Sequence, residues 1–385
     1  MLLSGLALHE AIWLQRVWKF HPTIPIALRL IILRGFRFSP ITVVTVELND
    51  LRRFCQKVLA TRGLSAGQAA LVTEVMVEQD LRGHGHHGSG LLALRVKDLD
   101  SGIARVNVDV EVLSDLPAFT ALDAHGLLGP LGAVRAIDVC IKKAQTQGIA
   151  SATLRDMPHW VIPAYYSMRA AAEGLIGYCV CYTNPSFAPV GGSSRVLGNN
   201  PMSYAIPADP RPPIVVDFGV SASTNRMREM MVDGELIPDD WAIDTDGNPI
   251  SDPSVAIERG IFLPFGEHRG YGLGLVHEIL GATLNAMPIG LEGVNGRFGA
   301  MFVATRVDVF RPAEEFLQDV NRALDHVVGS PSVDPKQPIR YPGERSGMKM
   351  RENLVRGRVD FGKAAWNKLH EVSELTNVAM PMVYG

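Results

Sequence analysis

Helical and extended stretches alternate over the middle of the chain, and this alternation constrains the fold more than any other feature of the sequence. The alternating stretches are a helix over Gly129–Gln147, a strand over Ile149–Leu154, a helix over His159–Glu173 and a strand over Leu175–Tyr182. The first helix is expected to stop at Gly148, since glycine suits the left-handed backbone that ends many helices. Such alternation is typical of α/β proteins, and we predict that fold class.

Further elements flank this region on both sides. Ser65 and Gln68 form a capping-box pair, which predicts a helix that runs to about Leu81. The other predicted elements are strands over Val106–Leu113, Ile214–Phe218 and Ala300–Phe310, a buried helix over Gly270–Leu284, and helices over Ala313–Val328 and Phe361–Leu375. We interpret residues 331–359, which are rich in proline, glycine and charge, as a connecting segment.

Composition excludes several classes of protein. A chain of 385 residues is long enough for about two domains. With 47% hydrophobic and 20% charged residues, it is not a disordered, collagen-like or coiled-coil protein. The 37 basic and 40 acidic residues give no basic field, so we expect no nucleic-acid partner. Four cysteines are too few for a disulfide scaffold, and we expect a reducing, cytoplasmic location.

Residues 1–43 differ from the rest of the chain in their charge, with five basic side chains and one acidic one. Their longest charge-free run, 20–28, contains two prolines and is shorter than the roughly 18 residues that a spanning helix needs. We therefore expect no membrane span. A targeting leader, an interfacial segment and an extension from a misplaced start are the alternatives, and we favour the last.

The segment GHGHHG at 83–88 matches the dinucleotide-binding pattern G-x-G-x-x-G, but its context is wrong. That pattern needs a strand before it and a helix after it, whereas here a predicted helix precedes it. The segment also carries His84, His86 and His87, and the neighbours His86 and His87 point apart in most backbone conformations. A metal-dependent hydrolase built on these three histidines is therefore a distant alternative. The alternatives are a solvated loop with one or two surface histidines, and a loop in which one of the three is an acid/base group.

Two other segments are candidate sites. His159 follows a predicted strand, a position where functional groups collect in α/β folds, although a lone histidine is more often structural. Arg269 lies at the start of a predicted helix, where backbone amides and a guanidinium suit an anion. A glycine-rich turn with an exposed arginine explains that second segment equally well. Cys179 and Cys181 lie on one predicted strand, and we expect them to be core thiols and not a metal pair.

Taken together, eight segments resemble the malate/L-lactate dehydrogenase family of non-Rossmann type, which also contains ureidoglycolate, sulfolactate and diketogulonate dehydrogenases and cyclic-imine carboxylate reductases. The segments are RGHGHHG at 82–88, RDMPHW at 155–160, TNPSFAPVGG at 183–192, LGNNP at 197–201, VVDFG at 215–219, WAIDTDGNPISDP at 241–253, HRGYGLGL at 268–275 and YPGE at 341–344. The resemblance extends from about residue 46 to residue 375.

The resemblance implies a fold, a partner and a cofactor. It implies an α/β, non-Rossmann NAD(P)-binding fold with a helix-rich second domain, and a homodimer. The implied domains are an N-terminal extension over 1–43, a substrate and dimerisation domain over 44–120 plus 300–385, and a cofactor-binding domain over 121–299. The implied cofactor is NAD or NADP, and the implied substrate is a 2-oxo acid, its 2-hydroxy acid or a related imine.

The resemblance also implies roles for particular residues. His159 corresponds to the histidine treated as the proton-transfer residue, and His87 polarises the carbonyl or shares the proton. The implied substrate-binding residues are Arg82, His86 and Arg95. The implied cofactor-binding residues are His159, Trp160, Thr183, Asp217, Phe218, Gly219, Arg269, Pro342, Gly343 and Glu344. No metal ligand is implied.

Several positions depart from the family pattern. The usual serine before the first catalytic histidine is His86, and the arginine that clamps the substrate carboxylate is Leu91. A lysine is replaced by Arg269, and bulky residues at 161–163 replace small ones where the cofactor approaches the backbone. We predict an NAD(P)-dependent oxidoreductase; the alternative is a catalytically impaired homologue that acts as a ligand-binding or interaction protein.

Overall fold

The computed structural model of the chain describes residues 43–290 and 296–384. The extension predicted over 1–43 lies outside the described residues, except for Val43. Within the described ranges no helix is long and apolar enough to cross a membrane.

The described residues form fourteen strands and eleven helices. The strands are β1 Val44–Glu47, β2 Glu111–Asp115, β3 Phe119–Asp123, β4 Ile149–Pro158, β5 Leu175–Cys181, β6 Pro185–Phe187, β7 Leu197–Gly198, β8 Met202–Ile206, β9 Ile214–Phe218, β10 Ala242–Ile243, β11 Ile261–Phe262, β12 Arg297–Arg306, β13 Arg358–Phe361 and β14 Val383–Tyr384. The helices are α1 Leu48–Ala60, α2 Ala66–Leu81, α3 Leu92–Asp100, α4 Gly129–Gln147, α5 Pro163–Ala172, α6 Thr224–Asp233, α7 Pro253–Arg259, α8 His268–Gly281, α9 Ala313–Val328, α10 Glu344–Arg356 and α11 Lys363–Thr376.

The largest sheet has seven strands in the order β2-β3-β4-β12-β5-β8-β9. Only β3 and β4 pair in parallel, and α4 forms the crossover between them. The remaining pairs in this sheet are antiparallel. The α/β prediction is confirmed, and the sheet differs from the all-parallel sheet of a Rossmann fold.

The predicted helix over Gly129–Gln147 is confirmed to the residue. Pro130 occupies its first turn, where a missing N–H costs nothing. Gly148 ends the helix with a φ of +80°, which an L side chain rarely adopts, and donates its N–H to the oxygen of Ala144 at 2.8 Å. The capping box at Ser65 is also present and starts α2.

Two smaller sheets complete the architecture. β1 lies between β13 and β14, so the start and the end of the described chain pair directly. Helix α2 packs against α1 and α4, and α11 packs against α3. The second small sheet has the order β10-β11-β6-β7 and its own apolar core, which includes Phe187, Val220 and Phe262. The domain boundaries predicted at 120 and 299 stay a prediction; β12 crosses the second.

Four sequence predictions needed correction. The strand predicted over Val106–Leu113 is Glu111–Asp115, because Val106, Val108 and Val110 pack against the core from irregular backbone. The helix predicted from His159 begins at Pro163, since β4 continues to Pro158.

The other two corrections concern helices. The segment 331–359 contains α10, which the prediction missed. It is enclosed by Gly343 and Gly357, both with positive φ. Helix α8 buries small and polar residues such as Gly274 and His277, while Val276 is 51% exposed, so its apolar face is not buried as predicted.

Candidate functional site

A cavity of about 580 Å³ brings together most of the residues predicted to form a site. The predicted residues in its wall are His86, His87, His159, Trp160, Thr183, Asp217, Phe218 and Gly219. His84 lines it as well. These residues span more than 130 positions in the sequence, so the fold itself assembles them.

Strand direction explains why these side chains meet. β4 and β5 are both antiparallel to β12, and β5 and β9 are both antiparallel to β8. β4, β5 and β9 therefore run in the same direction, and their carboxyl ends lie at one edge of the sheet. His159 follows β4, Thr183 follows β5, and Asp217 is near the end of β9.

The ring of His159 is held by two donors. Nη2 of Arg95 lies 3.1 Å from Nδ1 of His159, and the N–H of Val161 donates to the same nitrogen at 3.2 Å. Nη1 of Arg95 also donates to the carbonyl oxygen of His159. Burial, followed by the charge of Arg95, holds the pKa of His159 well below its usual range. The ring is therefore neutral at physiological pH.

His87 contacts the same residue, Val161, as His159 does. Its ring is hydrogen-bonded to the backbone of Val161, while its Nδ1 is buried without a partner among the described residues. Val161 has a φ of +85°, which is rare for a β-branched residue. Burial lowers the pKa of His87 to about 3. One strained residue thus connects the two imidazoles of the site.

The short helical turn over Gly85–His87 is called the histidine turn below. His86 is its middle residue. Its ring lies 4.4 Å from that of His87, and its Nδ1 lies 3.6 Å from Oε1 of Glu229 on α6. Burial lowers the pKa of His86, and Glu229 acts in the opposite direction. The residue that replaces the family's serine therefore joins the histidine turn to α6.

Asp217 connects the cavity to the start of α5. Its Oδ2 accepts the N–H of Ala164 at 3.1 Å, a favourable position for a carboxylate at a helix N-terminus. Burial raises the pKa of Asp217 to about 7. The neighbouring Phe218 packs edge-on against Phe265, with their ring centres 5.3 Å apart.

Two asparagines of the LGNNP segment hold the cavity wall, and sequence reasoning did not single them out. Asn200 accepts the N–H of Thr183 at 2.8 Å and donates to the buried carboxylate of Glu278 at 2.6 Å. Asn199 accepts the N–H of Ser221 at 2.8 Å, and a Cβ at Gly219 would lie only 2.2 Å from its amide nitrogen. The double asparagine before a proline was the available signal.

Arg195 is another cavity residue that the sequence interpretation missed. Its Nε donates to the oxygen of Gly260 at 2.7 Å, and its guanidinium carbon lies 5.7 Å from the ring centre of Phe262. Its bonds in the described part of the chain go to carbonyl oxygens, which leave its positive charge uncompensated. Nothing in the local sequence distinguishes it from a surface arginine.

Several residues implied by the resemblance lie elsewhere. Arg95 does not line the cavity, because it is fully buried behind His159. Arg82 donates to Glu78 at 2.8 Å and borders a second cavity of about 380 Å³. Arg269 is exposed and outside the wall.

The turn at Pro342, Gly343 and Glu344 packs on β9 instead of the cavity. The N–H of Val215 donates to the oxygen of Pro342 at 3.0 Å, and a Cβ at Gly343 would lie 2.7 Å from that nitrogen. This turn supports the strand that carries Asp217 and does not line the site.

The bulky residues at 161–163 all line the cavity, so the expected crowding of the cofactor there stays a prediction. The residue exposures of Val161 and Ile162 are 2% and 6%, and both pack into the main hydrophobic core. Leu91 is also buried in that core, at 5% exposure, and lies outside the cavity wall. Across 43–290 and 296–384, no group of three His, Cys, Asp or Glu residues is arranged to hold a metal ion.

Comparison with known proteins agrees with the sequence resemblance. The model of the malate/L-lactate dehydrogenase family matches residues 46–370. The chain is 28% identical to the malate/(S)-sulfolactate dehydrogenase of Methanothermus fervidus, over 87% of this chain and 99% of that protein. It is 30% identical to the L-sulfolactate dehydrogenase of Methanocaldococcus jannaschii, over 82% and 92% of the two chains.

A solved structure shows the same fold. The malate dehydrogenase of Entamoeba histolytica superposes with a TM-score of 0.84, covering 89% of this chain and all of that one, at 24% identity. The fold and the family match together define an oxidoreductase that acts on CH–OH groups. The chain belongs to the malate/L-lactate dehydrogenase family.

Proposed function

We propose that the protein is an NAD(P)-dependent dehydrogenase that interconverts a 2-hydroxy acid and its 2-oxo acid, with a related cyclic imine as a further substrate. The observation that carries this proposal is the pair of neutral imidazoles, His159 and His87, joined through Val161 in the wall of one cavity. Interconverting an alcohol and a carbonyl needs groups that hold the substrate oxygen and move its proton.

The cavity fits a nicotinamide dinucleotide in its chemistry. Phe218 offers apolar surface for the nicotinamide ring, and Thr183 offers a hydroxyl. Ser223 and Thr224 line the cavity at the start of α6, where Ser223 provides no side-chain cap, so the backbone amides suit a phosphate. When bound, the cofactor supplies the hydride acceptor or donor.

The charges around the histidine turn favour an acidic substrate. Burial lowers the pKa of His84 and of His86 most, and nearby cations lower it further: Arg82 and Arg345 at His84, and Arg226 and Lys368 at His86, where Glu229 acts in the opposite direction. These cations surround the turn although Leu91 offers no guanidinium. We propose that His86 contacts the substrate and that the surrounding cations attract its carboxylate.

Two further proposals follow from the resemblance. We propose a homodimer, which light scattering of the purified protein tests. We also propose a cytoplasmic location, and the four cysteines, all buried as free thiols, are compatible with a reducing compartment. Fractionation of native cells tests that location.

A binding titration followed by an assay tests the function. NADH and NADPH are titrated by fluorescence, and the enzyme is then assayed with malate, sulfolactate, ureidoglycolate, lactate and the corresponding oxo acids and imines. Saturable binding of one cofactor with turnover of an acid supports the proposal. Binding without turnover supports the impaired homologue instead, and absence of both overturns the proposal.

A further inference from the structure

A second cavity, of about 380 Å³, shares no lining residue with the cavity that holds the histidines. It is bounded by the end of α2, by α5 and by the segment between β8 and β9. Its volume is that of a small-molecule site. We propose that this second cavity binds a basic α-amino acid such as lysine. The inference goes beyond the proposed function, because it needs neither the nicotinamide cofactor nor turnover.

Two neighbouring tyrosines on α5 belong to different sides of that helix. The hydroxyl of Tyr166 donates to the oxygen of Trp160, which lines the first cavity, and their rings stack with centres 4.9 Å apart. Tyr165 lies edge-on to Tyr166, with ring centres 5.4 Å apart, and lines the second cavity. A ligand of the second cavity therefore leaves the space of the nicotinamide cofactor free.

The hydroxyl of Tyr165 is a polar group without a partner. The residue is only 6% exposed, and within the described part of the chain its hydroxyl makes no hydrogen bond. The oxygen is not among the fully enclosed atoms, so it reaches open space at the cavity wall. Burial raises the pKa of Tyr165 to about 12, which keeps the hydroxyl a donor. Since buried tyrosines normally find a partner for this group, its freedom here points to a ligand.

An ion pair on α2 lies in the same wall. Nε of Arg82 donates to Oε1 of Glu78 at 2.8 Å, and the two side chains are 10% and 15% exposed. The terminal nitrogens of Arg82 and Oε2 of Glu78 have no hydrogen-bond partner among residues 43–290 and 296–384, and none of these atoms is sealed off. Such a pair is complementary to the head group of an α-amino acid, whose carboxylate suits the guanidinium and whose ammonium suits the carboxylate.

Two carboxylates at the rim have no paired cation. Glu173 and Asp209 border the cavity, are exposed, and form no salt bridge with any described residue. Arg169 and Arg211 border it too, but each is held by an aspartate outside the wall, and Glu173 acts on Arg169 only from a longer range. The rim therefore attracts a second positive charge on the ligand.

The spacing of these two groups suits a lysine. Along α5, the buried Met168 and Ala171 line the cavity between Tyr165 and Glu173 and can cover an aliphatic stem. At a rise of about 1.5 Å per residue, Tyr165 and Glu173 are about 12 Å apart along the helix axis. A lysine side chain with bonds of about 1.5 Å extends about 6 Å, and a hydrogen bond at each end adds about 3 Å.

Binding of matched ligands tests the class of molecule. Calorimetry and ligand-observed NMR are used with the full chain in the absence of cofactor and substrate. We expect L-lysine to bind saturably with a Kd of about 1 mM or tighter. Norleucine lacks the terminal cation, 6-aminohexanoate lacks the α-ammonium and 1,5-diaminopentane lacks the carboxylate, and each should bind at least about tenfold more weakly. No saturable binding of lysine, or equal binding of norleucine, overturns the proposal.

Variants test the location. Tyr165→Phe should weaken lysine binding about fivefold without loss of stability, because the hydroxyl has no partner among the described residues. The double variant Glu173→Gln, Asp209→Asn should weaken lysine about tenfold and leave norleucine unchanged. Glu371→Gln is the control, since Glu371 is exposed and lines neither cavity. An equal loss in that control, or displacement of lysine by NADH, places the amino acid elsewhere and refutes the proposal. These outcomes are independent of whether the protein proves to be a dehydrogenase.

Discussion

Asp80, at the end of α2, accepts the backbone N–H of Ser89 at 2.8 Å and thereby ties the histidine turn to the helix that precedes it. Asp80 is 4% exposed, and its Oδ1 has no partner among the described residues. Gly88 lies against it so closely that a Cβ there would be 1.7 Å from Oδ1. The position of His87 therefore depends on two residues that do not line the cavity.

Asp80→Asn should increase stability in a pH-dependent way. Burial raises the pKa of Asp80 to about 7, above its ordinary 3.8, so the native protein binds this proton more tightly than the unfolded chain. The favourable contribution of that proton is present below about pH 4 and is lost as pH rises through 7. Because a tenfold difference in proton affinity is worth about 1.4 kcal/mol, the effect reaches about 4 kcal/mol.

Urea unfolding of both proteins at several pH values measures this difference. The free energy of unfolding of the variant relative to wild type should rise between pH 4 and 7 and then level off. The other ionisable groups are common to both proteins and cancel. A difference that does not change with pH would show that folding does not shift the pKa of Asp80.

Gly88→Ala should destabilise the protein by about 2 kcal/mol or more and disturb the histidine turn, because the new methyl group overlaps the carboxylate of Asp80. Gly85→Ala is the matched control, since a Cβ at Gly85 meets nothing within 4 Å. Thermal unfolding and turnover are measured for both variants. Equal effects of the two substitutions would contradict a specific contact between residues 88 and 80.

Arg195→Met should weaken the binding of the anionic cofactor about tenfold, because Arg195 brings to the cavity wall a cation that has no carboxylate partner among the described residues. Arg269→Met is the control, as Arg269 is exposed and outside that wall. Fluorescence titration with NADH and NADPH gives the two dissociation constants. A larger loss for Arg269→Met would support the role that the family resemblance gives to Arg269.

The sequence predicted the elements best where local signals and tertiary packing agree. Helix α4 has a proline in its first turn and Gly148 after its last, and its bounds were predicted to the residue. The exposed apolar face of α8 could not be predicted, because periodicity alone does not show which face a neighbour covers. The same limit applies to Val106, Val108 and Val110, which alternate correctly without forming a strand.

The residues of the site also divide into those that position and motif predicted and those that they did not. Residues that follow parallel-running strands, such as His159 and Thr183, were expected from position and motif, and the structure brings them together. Arg195 comes from a loop with no distinguishing pattern. Arg95 was expected to face the substrate because it lies one helical turn beyond Leu91. Its orientation depends on packing behind β4, which spacing along α3 does not reveal.

Leu91→Arg, which restores the family's arginine, should not restore a carboxylate clamp. Leu91 is 5% exposed within the main hydrophobic core and does not line the cavity, so a guanidinium there would be buried without a partner. We expect a loss of about 3 kcal/mol or more in the free energy of unfolding and no decrease in KM for an acidic substrate. Leu91→Met, which keeps the volume and the apolar character, should cost less than about 1.5 kcal/mol. A stable Leu91→Arg protein with a lower KM would mean that position 91 reaches the substrate, and that the cations around the histidine turn are not its binding groups.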